Sequence, residues 1–128
     1  MKEMGVELML LALAMELALK AWFVFDFDDP DHSKLHDLSM LFGKLKSESQ
    51  EKLDQEFKKS VAPFHPNILF IDYGIRHVLY QHKDAFVDWR YMHEPKSITF
   101  ERGAFEATLE MVLSEFDKRY YTIPVSTI

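Results

Sequence analysis

The sequence predicts an all-α fold: an antiparallel helical bundle of four to five helices in one domain, residues 1–128. Three observations predict it. Apolar residues recur at helical spacing in the longer segments, and the breaks between those segments are short and carry Pro or Asp. Only four glycines occur in 128 residues. The apolar share of 48% and aromatic share of 14% exceed what a disordered chain carries, so a packed core is expected.

The first helix is expected from Glu3 to Phe25. Leu, Ala and Met dominate it, and all three favour helix. It is apolar nearly all round, which suits a helix central to a bundle or shared with a second subunit. Glu16 and Lys20 stand i, i+4 in the order that favours an ion pair, and a structural role is expected for them. Leu8 to Phe25 is about long enough to span a bilayer, but Glu16 and Lys20 sit in its middle, where charge is costly. No basic region precedes it as in a signal peptide. A buried helix of a cytoplasmic protein is therefore expected, with no membrane partner.

Asp26 to His32 breaks the chain at Pro30. Ser33 is the expected cap of a second helix running to Leu45, with Leu38, Leu41, Phe42 and Leu45 on its apolar face. A third helix is expected from Ser47 to Val61, capped by Ser47 or Ser49 and packed along Leu53, Phe57 and Val61. Ala62 to Asn67 is a loop set by two prolines. Asn67 to Tyr73 reads as a short helix or a buried strand, with context favouring helix. Ile75 to Glu94 reads as one helix. Lys96 to Phe100 is expected to be extended. The last helix runs from Glu101 to Tyr120, burying Phe105, Leu109, Val112, Leu113 and Phe116, and an extended tail follows.

The Ile75–Glu94 segment is unusual. At roughly 100° per residue, Arg76, His82, Arg90 and His93 share an arc of about 120° with Leu79 and Phe86. Two cations, two imidazoles and apolar residues on one face suit a partly buried polar site or a polar interface.

Three stretches carry a resemblance. Met15–Ala21 (MELALKA) resembles the first-helix pattern of HEPN domains, the higher-eukaryote and prokaryote nucleotide-binding group. His36-Asp37-Leu38 with Leu41 and Leu45 looks like that family's HDL second helix. Ala85–Glu94 (AFVDWRYMHE) is similar to its later helix, where an Arg-Tyr pair is common. The resemblance implies an all-α bundle, usually dimeric. Many members are metal-independent ribonucleases of toxin–antitoxin or defence systems, and others bind RNA or nucleotide without cleavage. It also implies a protein partner such as an antitoxin nucleotidyltransferase. Active members carry an Arg followed four to six residues later by His. Arg76 with His82 has that form, whereas Arg90 has His93 three positions on.

Metal-independent RNA cleavage needs a base, an acid and a cation for the developing charge. Histidine and arginine supply these roles. The expected catalytic residues are thus Arg76, His82, Arg90 and His93. Tyr80 and Tyr91 are expected to bind substrate by stacking or hydrogen bonding. The competing reading is a non-catalytic dimerisation or interaction module that uses the same face, with arginines paired to Asp84, Asp88 and Glu94.

Other chemistries find little support. A net charge of −6 does not suit nucleic-acid binding through a general field. There is no cysteine, so no disulfide, thiolate metal site or cysteine nucleophile. The Asp26–His32 loop with His36 lacks calcium-loop spacing, no HExxH occurs, and no glycine loop cradles phosphate. No metal or cofactor is expected. His36 is expected to cap or orient the second helix, and Trp22, Trp89 and the phenylalanines to form core.

Overall fold

The computed structural model describes residues 2–28, 35–67, 72–82 and 102–120. Among these residues there are five helices and no strand: α1 Lys2–Phe27, α2 Leu38–Gly43, α3 Ser47–Ser60, α4 Ile75–Gln81 and α5 Arg102–Tyr120. The chain is an all-α helical bundle.

The helices pack around a single apolar cluster. Trp22 is fully buried at its centre. Its Nε1 donates to the carbonyl of Val112 at 3.3 Å, and its ring meets the edges of Phe116 and Tyr120 at 5.7 and 5.5 Å. The indole thus buries its apolar bulk without stranding its one donor. Contacts Glu7–Arg102, Trp22–Val112 and Asp26–Tyr120 advance together along both helices, so α1 and α5 run in the same sense. α3 runs against α5. Its C-terminal end reaches His65 beside Gly103, and Glu56 lies near Lys118.

The predicted faces of the second and third helices are the buried ones: Leu38, Leu41, Phe42 and Leu45, then Leu53, Phe57 and Val61. The face of α5 differs in part. Leu113 is 48% exposed, while Ala104, Thr108, Met111 and Glu115 are buried. α5 lies against both α1 and α3, so its buried face is turned toward the 104–108–111–115 row.

Carboxylates act at three helix starts; the start of α2 and the cap of α3 differ from expectation, whereas α3 and α4 begin at Ser47 and Ile75 as expected. α2 begins at Leu38 because Asp37, not Ser33, is the cap. The Asp37 side chain accepts from the Met40 N–H at 3.1 Å. α3 is preceded by Lys46, whose side chain does no capping. Asp26, from the end of α1, serves instead: it accepts from the Lys46 N–H at 3.1 Å and from Ser49 Oγ at 2.9 Å. At α4, Asp54 accepts from the Ile75 N–H at 2.9 Å. A Cβ at Gly74 would stand 2.6 Å from that same Asp54 oxygen, which explains glycine at this position. α4 itself is shorter than the predicted helix. It ends at Gln81, and His82 leaves helical backbone at φ −110°, ψ 14°. Residues 83–94 of the predicted helix lie outside the described residues, as do the extended 96–100 stretch, most of the 67–73 segment and the tail.

A buried carboxylate with lysine and histidine as the candidate functional site

The predicted Arg/His face divides. Arg76 is exposed. Its guanidinium donates to Gln50 Oε1 and lies over the Phe42 ring, 5.2 Å from the centroid. It lines a shallow depression of about 210 Å³ with Ser47, Gln50, Glu51 and Asp54. That arrangement fastens α4 to α2 and α3. Its two carboxylates disfavour an anionic ligand.

His82 is 2% exposed. Its Nδ1 lies 2.7 Å from the Val78 carbonyl, so this nitrogen carries the proton and donates. Its ring meets the edge of Phe105 at 4.9 Å. His82 stands just past the last residue of α4, on backbone that has left the helix. Arg76 faces solvent and His82 the core, and they do not converge on a common cleft. Tyr80, 64% exposed, follows Arg76 by one turn on the outer side. Arg90, Tyr91 and His93 lie outside the described residues. Trp89 does too, whereas Trp22 is core as expected.

The structure brings together a set that spacing alone did not reveal. Glu16 on α1 is 3% exposed. Its Oε2 accepts from Lys20 Nζ at 2.8 Å and from His36 Nδ1 at 2.9 Å. Its Oε1 is buried with no hydrogen-bond partner among the described residues. Such an orphaned oxygen carries a desolvation cost of about 1–3 kcal/mol, which native folds rarely leave uncompensated. The Lys20 side chain is 15% exposed and that of His36 46%, so the cluster opens to solvent on the histidine side.

The local fold positions each group. Leu38 and Leu41 anchor α2 in the core, and the Asp37 cap fixes where α2 begins. His36, two residues before that helix, is thereby held over α1. Helix spacing sets Lys20 one turn beyond Glu16 on the same side. The Glu16–Lys20 pair follows from its i, i+4 register. The His36 contact is twenty residues away in sequence, and no periodicity signals it. The one available signal was that Glu16, Lys20 and His36 all fall in stretches of the HEPN resemblance.

A carboxylate bound to Nδ1–H fixes the imidazole tautomer with Nε2 as its basic nitrogen. This is the arrangement of a general base held by an acid residue. Lys20 adds a cation beside it. Among the described residues, no three His, Asp or Glu side chains converge as metal ligands. Searches against protein-family models, curated proteins and solved structures give no match to this chain.

Proposed function

We propose that this chain is an HEPN-like protein that interacts with RNA or nucleotide, with Glu16, Lys20 and His36 as its working groups. One observation carries this reading. Two of the three stretches that resemble the family, MELALKA and HDL, meet in space at one buried carboxylate. A lysine and an imidazole beside that carboxylate suit a phosphodiester better than they suit a metal. In the ribonuclease form of this reading, the base that takes the 2′-OH proton is His36 rather than His82. The setting is a cytoplasmic toxin–antitoxin or defence system, with a nucleotidyltransferase-type antitoxin as a candidate partner.

The test is incubation of the purified chain with total RNA in the absence of added metal, with binding read by fluorescence anisotropy on a labelled oligonucleotide. Wild type and Arg76→Ala should bind or cleave alike, and His36→Ala should do neither. Intact, unbound RNA at high protein concentration would sink the proposal. A second reading is a non-catalytic interaction module, favoured by the burial of His82 and the engagement of Arg76 with α2 and α3. It predicts no RNA effect from wild type or either variant.

A further inference from the structure

We infer that the cleft between α3 and α5 binds a linear aliphatic polyamine. The cleft has a volume of about 350 Å³, within the range of small-ligand sites. The small side chains of Ser60, Ala107 and Ser114 line it and leave the space between the helices unfilled. Its apolar floor is Val61 and Met111, 1% and 7% exposed.

The walls are acidic. Glu56 on α3 and Glu110 and Glu115 on α5 line the cleft, against a single cation, Lys118. Glu115 is 5% exposed. Its Oε2 accepts from Lys118 Nζ at 3.0 Å, and among the described residues its Oε1 takes no hydrogen bond. A carboxylate taken so far out of water calls for donors at both oxygens. Among the described residues, Glu16 Oε1 is the one side-chain oxygen sealed from solvent without a partner. Glu115 Oε1 therefore opens to the cleft, and a ligand N–H can reach it.

The fold already seats an ammonium on this carboxylate. The Lys118 amine is raised above its ordinary value, first by its bond to Glu115, and Glu56 adds to the effect. The Lys118 side chain is 65% exposed, so it can turn out into water and yield Glu115 to a ligand amine.

The spacing of the carboxylates selects the ligand. Among the described residues, no three His, Asp or Glu side chains converge as metal ligands. Glu110 and Glu115 stand about 7.5 Å apart along the α5 axis, at 1.5 Å per residue, and Glu56 stands on the other wall. Carboxylates so dispersed do not close around one ion. They suit cationic ends held apart by an alkyl chain, with that chain lying on Val61 and Met111 as a lysine stem lies on apolar surface. The excess of carboxylates repels an anion.

Isothermal titration calorimetry of the full chain at low salt, with spermidine as the probe, tests the inference. Wild type should bind spermidine. It should bind n-butylamine, which has one charged end, at least ~10-fold more weakly, as for loss of a charge-assisted hydrogen bond. Glu115→Gln should raise the spermidine Kd at least ~10-fold, and exposed Glu110→Gln about 3-fold. Lys118→Ala removes the internal competitor and should lower the Kd about 3-fold. Glu51→Gln deletes the same charge at an exposed position of α3 outside the cleft and should leave the Kd within about 2-fold. No binding by wild type overturns the inference. So does a Glu51→Gln protein weakened as much as Glu115→Gln, since net charge alone would then hold the amine. Where circular dichroism shows Glu115→Gln unfolded, the other two cleft variants decide, and wild-type binding by both overturns the inference. Neither RNA nor the Glu16 cluster enters these readouts, so the result stands apart from the functional proposal.

Discussion

Replacing Glu16 by Met separates a working carboxylate from a structural one. Wild-type Glu16 gains two hydrogen bonds, from Lys20 and His36, whose side chains are 15% and 46% exposed. Both donors reach water, so each bond contributes about 1 kcal/mol. Against this stand the Oε1, buried without a partner among the described residues, at about 1–3 kcal/mol, and the apolar burial that a Met of similar length would gain, about 1–2 kcal/mol. The variant therefore lies between unchanged stability and a gain of about 3 kcal/mol, from the difference of those terms. Urea unfolding followed by circular dichroism reads it directly, with a rise in midpoint at unchanged slope. RNA binding by the same protein should fall at least ~10-fold, about 1.4 kcal/mol. A loss of stability above about 2 kcal/mol would refute the reasoning, since Glu16 would then be a net structural tie.

The remaining predictions concern the ties that set helix ends. Asp26→Ala removes the acceptor shared by Lys46, Ser49 and Tyr120, and three buried or part-buried donors lose it. The cost should be about 3–4 kcal/mol by thermal unfolding, and a loss below about 1 kcal/mol would contradict this. Gly74→Ala drives Asp54 off the α4 N-terminus and should cost about 1–2 kcal/mol, with no loss in an Asp54→Ala background. The Tyr120 phenol is raised above its ordinary value, first by burial and then by its bond to Asp26. Its contribution is complete below the ordinary value of about 10 and is lost as pH rises through the higher folded value. Base titration should thus unfold wild type more steeply than Tyr120→Phe. Lys58, raised first by Asp72, and Lys118, raised first by Glu115, act with the same sign in both proteins and cancel in the comparison.

The bundle was legible because its helices advertise themselves locally. Leu53, Phe57 and Val61 recur at helical spacing and are buried. Leu38, Leu41, Phe42 and Leu45 do the same. Helix ends were less legible because tertiary carboxylates set them. Ser49, expected as a cap, donates to Asp26 from another helix, and no local pattern encodes that bond. The end of α4 at Gln81 was hidden because the apolar and polar pattern continues past it without Gly or Pro. α1 was visible in sequence only as a helix apolar nearly all round, and the fold was needed to show which half is core. The candidate site was the least legible. Glu16 and Lys20 are a register effect, but His36 arrives through the placement of α2. Arg76 and His82, prominent in sequence, sit apart: one lies over Phe42 and the other meets Phe105.

The central claim is that His36, held by Glu16, meets the ligand. Side-chain NMR of the six histidines tests it, with an RNA oligonucleotide titrated into the full chain. The account predicts that the imidazole resonances of His36 shift in proportion to ligand bound, while those of buried His82 stay fixed. Shifts at His82 with His36 unmoved would contradict it, as would no histidine shift at saturating RNA.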